Sequence, residues 1–232
     1  MNPLVAFVLS LTIVAGVSAQ ENKKDDEYLR WPRQQAETVG KSTYHDGKVG
    51  SRLYPWDTRV LKTERSQNYK LRATWFTPEV IRASARWAQL QSHLTDKETE
   101  ALVSDAEAVG DTVVMVEIDP NEGSGVIPLD WEAFLQPKSK TGRNDGVRGV
   151  EKSELRKLRG LQGVMQRNYD YDRFWVVFPL VRADGRPLAS PTDNDLELVV
   201  RIYNREGAVN WGIPTSIRLR ANACKTARTQ SP

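Results

Sequence analysis

The sequence has few residues that could crosslink the chain or bind a transition metal. It contains one cysteine, Cys224, and two histidines, His45 and His93, among 232 residues. A single thiol cannot form an intramolecular disulfide, and metal-binding patterns such as HExxH and CxxC are absent. We therefore expect no disulfide framework, no zinc-type site and no cofactor. The stability of the fold then has to come from its hydrophobic core.

Motifs of common enzyme classes are also missing. The sequence has no GxSxG nucleophile elbow and no GxGxxG or GxxxxGK[ST] phosphate-binding loop. His45 and Asp46 could form a base and its orienting group, but adjacent side chains point apart, so we interpret them as part of a polar loop. His93 is interpreted as a linker residue. We assign no catalytic residue, and we lean towards a protein that is not an enzyme.

The first residues have the pattern of a secretion signal. Residues 1–19 contain no charged side chain, are apolar from Leu4 to Val17, and end in the small-residue sequence VSA. The apolar run is shorter than the roughly 20 residues that a membrane-spanning helix needs. We therefore predict a cleaved signal peptide, an exported protein in the periplasm or outside the cell, and no transmembrane segment after cleavage. The absence of Asn-x-Ser/Thr glycosylation motifs favours a bacterial source.

Composition divides the remaining chain into three parts. Residues 20–68 are polar, densely charged and without apolar periodicity, which predicts a partly disordered N-terminal arm. Residues 69–215 are long enough for a single globular domain. Residues 216–232 carry basic side chains and no pattern, so we expect a disordered basic tail.

The globular part begins with a strand over residues 69–76 and then the signals of two helices. Thr77 followed by Pro78 is a typical helix start, and Thr95 with Glu98 three residues later forms a capping box. These signals predict a helical hairpin over residues 78–110.

From residue 111 onward the hydrophobic period is that of strands. Pro179 lies inside the most strand-prone run, so that strand should be at a sheet edge or bulged. Turn signals separate the runs, with Asp184-Gly185 predicting a tight hairpin and residues 205–207 a further turn. The fold class is therefore α+β and mainly β, with the helical hairpin at the N-terminus of an antiparallel β-sandwich. The predicted strands cover residues 111–118, 131–136, 147–152, 174–181, 196–203 and 208–211.

Charges of opposite sign follow one another along the chain. Residues 95–133 contain eleven acids and one lysine, whereas residues 134–169 contain nine bases and three acids. The two regions could bind different partners or each other, or they could be solvated surfaces that neutralise each other. The basic region could attract an anionic polymer or lipid head groups. It lacks interleaved aromatic residues, and we do not expect nucleic-acid binding.

One loop has a loose likeness to a calcium site. Asp119, Asn121 and Asp130 occupy positions 1, 3 and 12 of an EF-hand loop. Gly123 stands where the fifth-position ligand should be, so we interpret the loop as a turn between strands. A calcium-stabilised module remains a third hypothesis.

Aromatic side chains are the other candidate binding groups. Exposed indole and phenol rings can anchor a partner or stack on a sugar. Four tryptophans in periodic segments are assigned to the core: Trp75, Trp87, Trp131 and Trp175. Aromatics in loops are better placed for binding: Trp31, Trp56, Tyr169 and Tyr171.

These observations favour a non-catalytic exported domain that binds a protein or a surface polymer. The alternative is a carbohydrate-active hydrolase or carbohydrate-binding module that uses paired carboxylates or exposed aromatics, because a catalytic acid pair is defined by its spatial separation and leaves no sequence motif.

Overall fold

The computed structural model describes most of the central part of the chain. The described residues are 26–51, 69–110, 112–120, 130–138, 146–165, 172–182, 184–190, 192–203, 205–215 and 217–218. The predicted signal peptide, Cys224, Trp56, Tyr169 and Tyr171 lie outside these ranges. No helix within them is long and apolar enough to cross a lipid bilayer.

The described segments contain three α-helices, three short 3₁₀ helices and nine strands. The α-helices are α1 (Arg33–Gly40), α2 (Pro78–Ser92) and α3 (Asp96–Glu107), and the 3₁₀ helices are Asp26–Arg30, Ser153–Lys157 and Arg159–Leu161. The strands are β1 (Tyr44–Ser51), β2 (Tyr69–Trp75), β3 (Val113–Pro120), β4 (Glu132–Pro137), β5 (Val147–Arg148), β6 (Val150–Glu151), β7 (Asp172–Val177), β8 (Asp195–Ile202) and β9 (Arg205–Gly212).

All nine strands belong to one antiparallel sheet that curls into a nearly closed barrel. The strand order is β5-β4-β8-β9-β1-β2-β3-β7-β6. Its two end strands, β5 and β6, are separated in the chain only by Gly149, so one short segment pairs with β4 on one side and β7 on the other. The prediction of a β-sandwich is therefore wrong. Alternating apolar residues are common to both architectures. The pairing of β1 with both β2 and β9, together with the pairing of residues 147–151, distinguishes the barrel from two separate sheets.

The barrel interior is filled with apolar side chains. On β3 the inward residues are Val114, Val116 and Ile118, all without exposed surface. At one end of the barrel the rings of Trp75 and Trp211 lie 5.9 Å apart, and the Trp211 indole donates a hydrogen bond to the Thr43 carbonyl at 2.6 Å. The barrel is thus held together by its packed interior.

The helices cover the outside of the barrel at β3 and β7. Val113 and Met115 of β3 and Trp175 of β7 point outwards and are buried in a second apolar cluster with helical residues. This explains why β3 is apolar on both faces. Helices α2 and α3 begin at the predicted caps: Thr77 accepts a hydrogen bond from the Val80 amide, and the Thr95 capping box is complete.

The two helices of the hairpin occupy the predicted residues, but the hairpin does not stand at the N-terminus of the β domain. Helices α2 and α3 lie between β2 and β3 in the chain, and β1 precedes them as part of the barrel wall. Residues 26–51 of the predicted arm form a 3₁₀ helix, α1 and β1, with Tyr28 and Leu29 buried against the helices. The sequence signal of β1 is weak because its eight residues include two glycines and only one valine, Val49.

Turn predictions had mixed outcomes. The turn at Asp184-Gly185 is confirmed, since a β-bridge joins Val181 to Pro187 around it and Gly185 has φ +80°. The predicted turn at 205–207 is wrong, because β9 begins at Arg205 directly opposite Ile202.

Strand β7 ends at Val177, so Pro179 lies beyond its last paired residue. Ile217, assigned to the disordered tail, is buried in the barrel core.

Candidate binding surface

The barrel wall is incomplete where β4 and β6 diverge. Gly149 still donates a backbone hydrogen bond to the Ala133 carbonyl at 2.9 Å, but the chain then turns to β7, and the Lys152 amide donates to the Trp175 carbonyl at 2.8 Å. A methyl group on Gly149 would lie 2.3 Å from Cγ1 of Val176. Glycine is therefore required for this close approach to the barrel interior. We call the opening between β4 and β6 the seam.

An open pocket of about 460 Å³ occupies the seam. The Trp131 ring packs on Phe174 at a centroid distance of 4.8 Å, with the planes at 56°. Val150, in contrast, is 61% exposed, the second largest exposure among the described large apolar side chains. The pocket thus combines apolar surface with polar groups. Its lining residues are Trp131, Glu132, Ala133, Arg148, Gly149, Val150, Glu151 and Val176.

The charged groups of the pocket are two carboxylates and one guanidinium. Arg148 Nη2 lies 3.0 Å from Glu132 Oε1, and the Arg148 side chain is 69% exposed. An exposed ion pair of this kind contributes at most about 1 kcal/mol, so a ligand could displace it. Glu151 is exposed, and its side chain has no ion-pair or hydrogen-bond partner in the described part of the chain. The pocket therefore offers both hydrogen-bond donors and acceptors.

A basic segment follows the seam directly in the chain. We define it as residues 152–159, whose backbone runs through the 3₁₀ helices Ser153–Lys157 and Arg159–Leu161. Leu155 is buried and holds the segment to the helices. The Trp175 indole donates to the Leu161 carbonyl at 2.8 Å, and a methyl group on Gly160 would lie 2.7 Å from the Leu102 carbonyl oxygen of α3. The backbone of the segment is therefore fixed against the barrel and α3.

Four basic side chains of this segment are exposed: Lys152, Arg156, Lys157 and Arg159. None of them has an ion-pair or hydrogen-bond partner for its side chain among the residues that the structure describes. The nearby acidic helix α3 forms its ion pairs with other residues, Asp96 with Arg30 at 3.6 Å and Glu107 with Arg82 at 3.3 Å. The acidic and basic regions contact each other at two places, a possibility that the charge pattern left open. Glu132 and Arg148 form an ion pair at 3.0 Å, whereas the basic segment approaches α3 through Gly160 and forms no ion pair with it among the described residues.

The structure separates the two residues considered as a base and its orienting group. Asp46 lies on the outer face of β1, where it accepts hydrogen bonds from the Tyr44 hydroxyl at 2.9 Å and the Arg72 guanidinium at 3.0 Å. Burial, and then the bond to Asp46, raises the pKa of Tyr44 well above its usual value. The ring of His45 lies 5.9 Å from that of Trp211. Both residues are in a strand, so the prediction of a polar loop is wrong, whereas their opposite orientation is confirmed.

The other sequence candidates form no common site. His93 ends α2 with φ 53° in the left-handed region. Asp119 pairs with Lys70 across strands at 3.7 Å, and residues 121–129 of the proposed calcium loop lie outside the described residues. Within the described ranges, no group of three or more His, Cys, Asp or Glu side chains could hold a metal ion.

The tryptophans assigned to the core are buried at three of four positions: Trp75, Trp87 and Trp175. Trp131 is only partly buried and lines the seam pocket. Trp31, assigned to binding, packs edge-on against Tyr28 at 6.4 Å and covers the apolar cluster beneath the helices. The two tryptophans are therefore similar in burial: each packs against an apolar cluster, and Trp131 in addition lines the seam pocket.

Sequence reasoning also missed the seam, although one signal was present. Val147 and Val150 flank Gly149 three positions apart, which in a strand places them on opposite faces. Val147 is buried in the barrel, and Val150 points outwards.

Comparison with known proteins gives no relative: no family model, curated protein or solved structure matches this chain. The candidate surface therefore has to be interpreted from its own chemistry.

Proposed function

We propose that the protein is an exported, non-catalytic binding domain whose partner contacts the outside of the barrel at the seam and the basic segment. The single observation that carries this proposal is the contrast between a barrel interior filled with apolar side chains and an open, mixed polar and apolar pocket at the seam. A packed barrel leaves its ligand to bind on the outer surface, and concave surfaces with a few polar groups are typical binding sites.

The proposal predicts that binding depends on the exposed valine of the seam. Val150→Asp should abolish retention of a reproducible partner from a cell-envelope fraction, because it places a charge on the apolar contact surface. Val181→Asp is the matched control, since Val181 is also exposed, at 40%, but lies in the hairpin around Gly185. Equal retention by both variants, or failure of the unmodified protein to retain any partner, would contradict the proposal.

Export is tested separately. Mass spectrometry of the protein recovered from the periplasm or culture medium should find Gln20 as its first residue. A protein that stays inside the cell with residues 1–19 attached would refute this part of the proposal.

A carbohydrate ligand is the second candidate. The indole of Trp131 and the carboxylates of Glu132 and Glu151 line one pocket, and this combination of an aromatic ring with hydrogen-bond acceptors suits a sugar. Titration with oligosaccharides should then change tryptophan fluorescence, with the change lost in Glu151→Gln. Release of new reducing ends during incubation would identify a hydrolase, whereas binding without turnover would indicate a carbohydrate-binding module.

A further inference from the structure

The basic segment concentrates unpaired positive charge on the described surface. Residues 152–159 hold four bases and one acid, Glu154. As described above, the four basic side chains are exposed and have no partner within the described part of the chain. Cations without a protein partner remain available for an external anion.

The backbone beneath these side chains is held in place from both ends. The Lys152 backbone amide is bound to β7, and the Arg159 carbonyl accepts a hydrogen bond from the Ser84 hydroxyl of α2 at 3.3 Å. The Arg156 carbonyl accepts one from the side-chain amide of Gln162 at 2.7 Å. A fixed backbone reduces the conformational entropy that a partner must overcome on binding.

The apolar residues of the segment point into the protein and not towards a partner. Leu155 is 5% exposed and Leu158 is half-buried against the helical cluster. Membrane-surface segments normally add apolar side chains that enter the lipid. A linear polymer with repeated anionic groups needs no such anchor, because it binds by placing several charges beside several cations.

We propose that the partner is an anionic polymer with repeated phosphate or carboxylate groups, bound along Lys152, Arg156, Lys157 and Arg159. Arginine pairs with phosphate and carboxylate through two parallel hydrogen bonds, and lysine acts as a point charge. This inference rests on the proposed binding function and names the chemistry of the partner.

The test measures the affinity of the full exported chain for two probes, polyphosphate and poly-L-glutamate, by isothermal titration calorimetry between 50 and 200 mM salt. The variants are Lys152→Gln/Lys157→Gln and Arg156→Gln/Arg159→Gln. The matched control is Lys48→Gln/Lys97→Gln, which removes the same charge at two exposed lysines on β1 and α3. All changed side chains are exposed, so the melting temperatures should stay close to that of the unmodified protein.

We expect each segment variant to bind at least one probe about tenfold more weakly at 50 mM salt and to lower the slope of log K against log salt by about two, one for each lost contact. The control should bind within about twofold of the unmodified protein. An equal loss in the control would show that only net charge matters and would overturn the inference.

Two further outcomes separate this inference from the proposed function. If neither probe binds but vesicles of phosphatidylglycerol do, the polymer inference is overturned in favour of a lipid surface. If the partner lost by Val150→Asp is retained by both segment variants, the binding function stands and the anionic-polymer inference fails.

Discussion

The close contact at Gly149 gives a direct test of how the barrel closes. A methyl group at this position would lie 2.3 Å from Val176 Cγ1 and 2.7 Å from Phe178 Cε1. Both side chains are at most 2% exposed and packed in the barrel core, so neither can move aside freely. Overpacking of this kind costs about 1–3 kcal/mol. We therefore expect Gly149→Ala to lower the free energy of unfolding by that amount.

Urea unfolding monitored by tryptophan fluorescence measures the effect. The matched control is Gly212→Ala in β9, where the nearest atom to an added methyl group is an Asp195 carboxylate oxygen at the ordinary distance of 3.8 Å. The control should change the unfolding free energy by less than about 0.5 kcal/mol. If Gly149→Ala is as stable as the control, residues 147–151 do not approach the barrel interior, and the interpretation of the seam is wrong.

Two further predictions concern hydrogen bonds. The hydrogen bonds from Thr95, first from its backbone amide and then from its hydroxyl, lower the pKa of Glu98. They stabilise the folded state fully when the pH is above the usual carboxyl pKa, and this stabilisation is lost as the pH falls through the lowered pKa of Glu98. Thr95→Ala removes the helix-capping hydroxyl but keeps the backbone amide bond to Glu98, so it should cost about 1 kcal/mol at neutral pH as the loss of an N-cap. The difference in unfolding free energy should shrink in acid by the part that comes from the hydroxyl bond to the carboxylate; a difference independent of pH would contradict this. Trp175→Phe removes the bond to the Leu161 carbonyl and should cost about 1–3 kcal/mol, whereas Trp31→Phe should cost less in the same urea assay, because the Trp31 Nε1 has no partner among the described residues. Equal costs would refute that reasoning.

The elements that the sequence predicted well are those whose signals are local. Helix α3 begins where the Thr95 hydroxyl and the Glu98 carboxylate bind each other's backbone amides, an arrangement that needs only four consecutive residues. Strand β8 has inward Leu196 and Leu198 at the period of two, and its predicted extent differs from the observed one by a single residue at each end. Such signals do not depend on the rest of the chain.

The closure of the barrel could not be predicted because it depends on pairing between distant segments. Val147 pairs with Leu135 of β4, while Val150 pairs with Val177 of β7. The local pattern places the two valines on opposite faces, but it does not indicate the strands with which they pair. Strand β1 was missed for a related reason. Its place between β2 and β9 is set by backbone hydrogen bonds, to which glycines contribute as well as apolar residues do.

The candidate surface also has one feature that the sequence shows and one that depends on the fold. The composition shows an excess of basic residues in this region. Whether these residues form ion pairs depends on which acidic residues lie beside them in the fold. The acids of α3 come close in space through Gly160, yet the ion pairs of that helix are made with Arg30 and Arg82. Exposure of the basic side chains is therefore a result of tertiary packing and could not be read from charge counts.

One segment, residues 147–161, both closes the barrel and carries the candidate surface, and its two roles depend on different residues. Gly149 and Gly160 permit close approach to the barrel core and to α3, so substitutions there should lower stability. Lys152 and Arg156 have exposed side chains, so substitutions there should change binding alone. If substitutions at the exposed basic residues lowered stability as substitutions at the glycines do, the basic side chains would have partners within the protein. Loss of binding with unchanged stability at Lys152 and Arg156 would instead place their partner outside it.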